Sequence, residues 1–89
     1  KVKLLDGIGG IDMVNTFVPK LVSAGAEIKL IGNAQQFGVP KTLITYYDEA
    51  YLNFAEAFST AIAGSSIEFE PLSESAVDVT VLIGGNSLE

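Results

Sequence analysis

Residues 42–64, TLITYYDEAYLNFAEAFSTAIAG, run from a strand straight into a helix. Thr42 to Tyr47 is rich in β-branched and aromatic side chains, which suit a pleated, half-buried surface and predict a strand. Asp48 follows as a helix cap. Tyr51, Leu52, Ala55, Phe58 and Ile62 then fall on one helical stripe, and Gly64 supplies the stop. A strand that passes into an amphipathic helix within so few residues needs a sheet to receive the helix's apolar face.

Upstream, a loop through Gly38 and Pro40 separates this unit from Ala26 to Ile31 (AEIKLI), which alternates apolar and charged residues as a strand with one wet face does. Before it, Val14, Phe17, Val18, Leu21 and Val22 follow helical spacing, with Asp12 as cap and Gly25 as stop. Pro19 inside that pattern predicts a kink or a late start, because it lacks a donor and crowds the preceding turn. Val2 to Leu5 is a short apolar strand that runs into Asp6-Gly7-Ile8-Gly9-Gly10.

Downstream, Ser65 to Ala76 is polar, holds Pro71, and includes a short strand at Ile67-Glu68-Phe69; Val77 to Ile83 is the last strand and ends at Gly84-Gly85. The predicted fold is therefore α+β, a two-layer sandwich of βαββαβ order. A mostly antiparallel or mixed four-stranded sheet carries two helices on one face. Residues 1–87 are expected to form one domain, with Leu88-Glu89 read as a cloning remnant. Because the first residue is Lys rather than Met, the chain is expected to be a fragment from which a targeting segment has been removed.

The available chemistry is narrow. The 89 residues include no His, Cys, Trp or Arg, and every basic side chain is a lysine: Lys1, Lys3, Lys20, Lys29 and Lys41. Imidazole, thiol and guanidinium are the usual proton shuttle, soft nucleophile and bidentate anion clamp. Their absence predicts no catalytic, metal-binding or cofactor-binding residues. A formal charge of −6 argues against nucleic acid, whose affinity rests on neutralising phosphates. No run approaches the ~20 apolar residues of a membrane span, so direct insertion is not expected.

Several blocks together resemble a known pattern. They are Val2-Lys3-Leu4-Leu5-Asp6-Gly7-Ile8-Gly9, the helix end Leu21-Val22-Ser23-Ala24-Gly25, Ile31-Gly32-Asn33-Ala34, Thr45-Tyr46-Tyr47, and Asp78-Val79-Thr80-Val81-Leu82-Ile83-Gly84. In order and spacing they are similar to the C-terminal accessory domain of the LytR/CpsA/Psr envelope proteins; Asp6 stands where that family usually has Asn. The resemblance implies a non-catalytic, extracytoplasmic binding module in a membrane-tethered or wall-associated bacterial protein. Its phosphotransferase chemistry would belong to a separate domain, and its partner would be wall glycopolymer or an envelope protein. The alternative is a small-ligand-binding regulatory domain that acts as a dimer.

The residues that could bind form two groups. Asp6, Gly7, Gly9 and Gly10 could offer backbone N–H groups to an anion, or simply make a turn in which Asp6 bonds its own backbone. Tyr46, Tyr47 and Tyr51 could stack on sugar rings, although neighbours in a strand point to opposite faces and so Tyr46 and Tyr47 cannot both be core. Glu68, Glu70, Glu74 and Asp78 lack the spacing of a calcium loop and read as solvated charge, and Phe17, Phe54 and Phe58 read as core.

Overall fold

A computed structural model describes residues 1–10, 14–35, 37–71 and 77–88. The strands are β1 (Val2–Asp6), β2 (Ile28–Asn33), β3 (Leu43–Tyr46), β4 (Ser66–Phe69) and β5 (Val79–Ile83), and the helices are α1 (Val18–Ser23) and α2 (Leu52–Ala61). Single 3-10 turns cover Glu49–Tyr51 and Gly85–Leu88. The α+β sandwich stands as expected, but the sheet has five strands rather than four, in the order β2-β1-β5-β3-β4. The short strand at residues 67–69 accounts for the difference: it pairs with β3 and closes one edge.

The sheet is mixed in a definite way. β1 and β2 are parallel across α1, and β3 and β4 are parallel across α2, so the chain makes two βαβ units. β5 lies between them, parallel to β1 and antiparallel to β3. Val2, Leu4, Val79, Val81, Ile83 and Ile44 point to one face, where Val14, Phe17, Leu21, Ala55, Phe58 and Ile62 cover them in one core. Strand alternation sends Lys3, Leu5, Thr80, Leu82, Leu43 and Thr45 to the other face, which no helix covers among the described residues.

Local departures from expectation have local causes. The first helical stretch is interrupted: Val14 and Asn15 are helical, Thr16 and Phe17 form a turn, and α1 begins at Val18 with Pro19 in its first turn, where the missing donor costs nothing. Only Leu21 of α1 is fully enclosed, and Val22, expected in the buried stripe, is 53% exposed. Asp12, expected as the cap, lies outside the described residues. β2 begins two residues later than expected because the Ala26 N–H still bonds back to the Leu21 carbonyl at 2.9 Å, finishing the helix's last turn. As an edge strand with a register shift opposite Val2 and Lys3, it exposes both Leu30 and Ile31 instead of alternating cleanly. Gly25 and Gly64 do stop their helices, with φ of 104° and 79°.

One knot of bonds ties the second βαβ unit to the segment that follows β5. Buried Thr42 accepts the Gly84 N–H on its Oγ1 at 2.9 Å, gives its own N–H to Asn86 Oδ1 at 3.1 Å, and receives the Ser66 N–H on its carbonyl at 3.0 Å. Asn86 completes the tie by donating Nδ2 to the Gly64 carbonyl at 2.8 Å. The strands cross so closely here that a Cβ on Gly84 would lie 2.3 Å from the Lys41 carbonyl carbon, a contact only glycine avoids. Replacing Thr42 by Val keeps the shape but strands the buried Gly84 N–H, so chemical denaturation should show a loss of about 1–3 kcal/mol. Thr42→Ser keeps the acceptor and should lose only the share of one methyl, about 0.8 kcal/mol.

Candidate functional site

The glycine loop is a closed turn. Asp6 is buried at the end of β1, and its Oδ1 accepts the N–H groups of Ile8 at 2.9 Å and Gly9 at 3.0 Å. Gly9 takes a φ of 85°, while the Gly7 N–H bonds to the Ile83 carbonyl at 3.0 Å. The donors an anion would need at Gly7, Ile8 and Gly9 are thus already engaged, and the carboxylate that fills the turn would repel it.

The tyrosines separate. Tyr46 lies on the helix-bearing face of β3 and stacks on Phe69, ring centres 4.8 Å apart. Tyr47 turns to the opposite face, where its hydroxyl and Thr80 Oγ1 share a hydrogen bond of 2.6 Å. Tyr51 closes the 3-10 turn that Asp48 caps by accepting the Ala50 N–H at 2.9 Å. The three do not form one aromatic patch. Nor do they meet the glycine loop, which lies at the far end of β1, about 13 Å along the strand at ~3.3 Å per residue.

Tyr51 instead belongs to a cleft that opens between the C-terminal end of α1 and the start of α2. The cavity is about 190 Å³ and is lined by Gly25, Tyr51, Phe54, Phe58 and Asp78, with Lys1, Glu27 and the ends of β1 and β5 around its base and rim. Phe54 bridges it, its ring 6.3 Å from those of both Tyr51 and Phe58. Phe58 is core as expected, but Phe54 is not: it is 44% exposed and forms a wall of the cleft. Phe54 shares the cleft with Val2 and Val79, at the starts of β1 and β5, and lies against Gly25.

Asp78 gives the cleft its polar centre. Its Oδ2 lies 2.8 Å from the Lys1 N-terminal ammonium, and its charge acts on the Tyr51 hydroxyl. The Asp78 negative charge, aided by partial desolvation and hydrogen bonding, raises the Tyr51 pKa above the usual tyrosine value. At the rim, Glu27 is held below its usual carboxylate range by its hydrogen bond and ion pair with Lys29, at 2.6 Å. The sequence reads Asp78 as solvated charge with Glu68, Glu70 and Glu74, and as part of the strand Val77 to Ile83. The strand begins only at Val79, and residue 78 sits in a bend before it.

A second depression, over Leu5, Leu82, Val39, Ala34 and Gln35 on the uncovered face, is wider and has no ionisable lining. Among the described residues, no group of three or more acidic side chains is placed to hold a metal ion, and no helix is long and apolar enough to cross a membrane. Glu74 lies outside the described residues. Compared with protein families, curated proteins and solved structures, the chain matches none.

Two outcomes test this geometry. Asp6→Ala leaves the Ile8 and Gly9 N–H groups without their acceptor and should cost about 1–3 kcal/mol in equilibrium denaturation, whereas Asp6→Asn retains an Oδ1 and should cost much less. In the cleft, ultraviolet titration should find one tyrosine ionising above the usual value of about 10. Asp78→Asn should bring it back towards that value. Because the folded state favours the neutral phenol, the stabilisation from this pair is present below the ordinary tyrosine pKa and is lost as pH rises through the raised one.

Proposed function

We propose that this chain is a non-catalytic accessory module of the bacterial cell envelope, working outside the cytoplasm in a membrane-tethered or wall-associated protein, and that it binds wall glycopolymer. The resemblance of its strand, turn and helix-end blocks to the LytR/CpsA/Psr accessory domain supports the setting. The observation that carries the binding role is the pairing of an aromatic wall, half-buried Tyr51 and exposed Phe54, with the Asp78 carboxylate in one concave site. A sugar ring has an apolar face that packs on an aromatic ring and hydroxyls that donate to a carboxylate, so both halves of the recognition have a counterpart here.

The binding residues of this reading are Tyr51, Phe54 and Asp78; Tyr46 serves packing and Tyr47 serves the opposite face. The competing reading, a dimeric small-ligand regulatory domain, draws support from the depression over Leu5 and Leu82, which a second copy could roof over.

Amide shifts of labelled protein titrated with solubilised wall glycopolymer or peptidoglycan fragments should cluster at Gly25, Tyr51, Phe54 and Asp78. Phe54→Ala, at an exposed position, should weaken binding about tenfold, the loss of ~1.4 kcal/mol of ring contact, while leaving the melting temperature nearly unchanged. Absence of shifts at millimolar ligand would sink the proposal. Shifts at Leu5 and Leu82 together with a dimer in sedimentation would favour its rival.

A further inference from the structure

The sheet has two edges, and the chain finishes them differently. β2 carries a register shift between its pairings with Val2 and Lys3, a lysine at that shift, and Gly32. Such devices twist or charge an edge and discourage further strand pairing. β4 has neither a register shift nor a glycine, and its one charge, Glu68, is acidic. Ser66–Phe69 pair residue for residue with Leu43–Tyr46, the strand holds no lysine, glycine or proline, and all of its side chains are exposed.

The orientation of β4 follows from its bonds. The N–H groups of Ser66 and Glu70 donate to the Thr42 and Tyr46 carbonyls, each at 3.0 Å. In a parallel ladder the direction of these groups alternates, so the N–H and C=O of Ile67 and Phe69 point away from β3. Their side chains lie on the helix-bearing face beside Ile44 and Tyr46, and are 37% and 38% exposed. Glu68 and Glu70 share the other face, in hydrogen-bond contact with each other.

We propose that β4 is a strand-addition edge for a protein partner, an extended segment that alternates lysine or arginine with apolar residues. Its cations meet Glu68 and Glu70 on one face, its apolar side chains extend the Ile67 and Phe69 surface on the other, and its backbone takes up the outward groups of Ile67 and Phe69. Charge selects this occupant. Hydrogen bonding from Glu70 and its negative charge hold Glu68 above the usual carboxylate range, a repulsion that a facing cation relieves. A second β4, added antiparallel, would bring two more carboxylates to the same face and is disfavoured for that reason. This edge is separate from the Tyr51 cleft and does not depend on it.

The probe is a capped synthetic peptide alternating lysine with valine, with a peptide alternating glutamate with valine as its counterpart. Titrated into labelled protein, the lysine peptide should move amides of residues 66–70 and of β3, slow hydrogen exchange at Ile67 and Phe69, and bind at least about tenfold more tightly than the glutamate peptide. Replacing both acids, Glu68→Lys with Glu70→Lys, should reverse the preference, and an unchanged melting curve would show that the exposed substitutions leave the fold intact. No shifts at millimolar peptide, equal affinity for both peptides, or shifts at β2 in place of β4 would each overturn the proposal. So would concentration-dependent shifts of β4 without peptide, which would assign the edge to a second copy.

Discussion

The pairing of β5 with β1 on one side and β3 on the other holds the fold together. Each βαβ unit has only two strands and one helix, too little to enclose a core alone, and their strands run in opposite senses. β5 satisfies both neighbours because a strand can pair parallel on one edge and antiparallel on the other. Its alternation does the rest. Val79, Val81 and Ile83 line up with Val2 and Leu4 on one side and Ile44 on the other, and so make one continuous floor on which both helices rest. A slip of one residue would turn that floor to solvent.

That arrangement makes the two ends of the sheet unlike. Where β5 finishes, Thr42, Gly84 and Asn86 tie the second βαβ unit to the segment after β5, and Asp6 fills its own turn, so donors and acceptors are consumed in holding the chain. Where β5 starts, the chain enters through a bend, and Phe54 of α2 lies against Gly25, just past the end of α1. An apolar cavity with a carboxylate at its base is left there. The proposed binding role belongs to this second end because its aromatic and polar groups remain accessible, while the glycine-rich end, more conspicuous in the sequence, is structural.

Much of the architecture was legible in the residues. The β-branched and aromatic run at Thr42 to Tyr47, the Asp48 cap and the glycine stops at Gly25 and Gly64 act through local backbone preferences, which operate before any tertiary contact forms. The α+β class follows from the order of those elements. Less was legible at the margins. Ile67-Glu68-Phe69 was visible as a short strand but not as a member of the sheet, since its partner is chosen by the return of the chain after α2. Phe54 obeys the same helical spacing as Phe58 and differs from it in lining the cleft at the starts of β1 and β5.

The sequence by itself determined which segments are strands and helices, where the helices stop, and that imidazole, thiol and guanidinium chemistry is excluded, because these depend on residue type and near-neighbour geometry. The tertiary structure alone decided that β5 runs between β1 and β3, that Tyr46, Tyr47 and Tyr51 face three different surroundings, and that Asp78 meets Tyr51 beneath Phe54. Those outcomes depend on contacts between residues tens of positions apart, and no local preference of Tyr51 or Asp78 distinguishes the pairing they make from the many that the same side chains could have made.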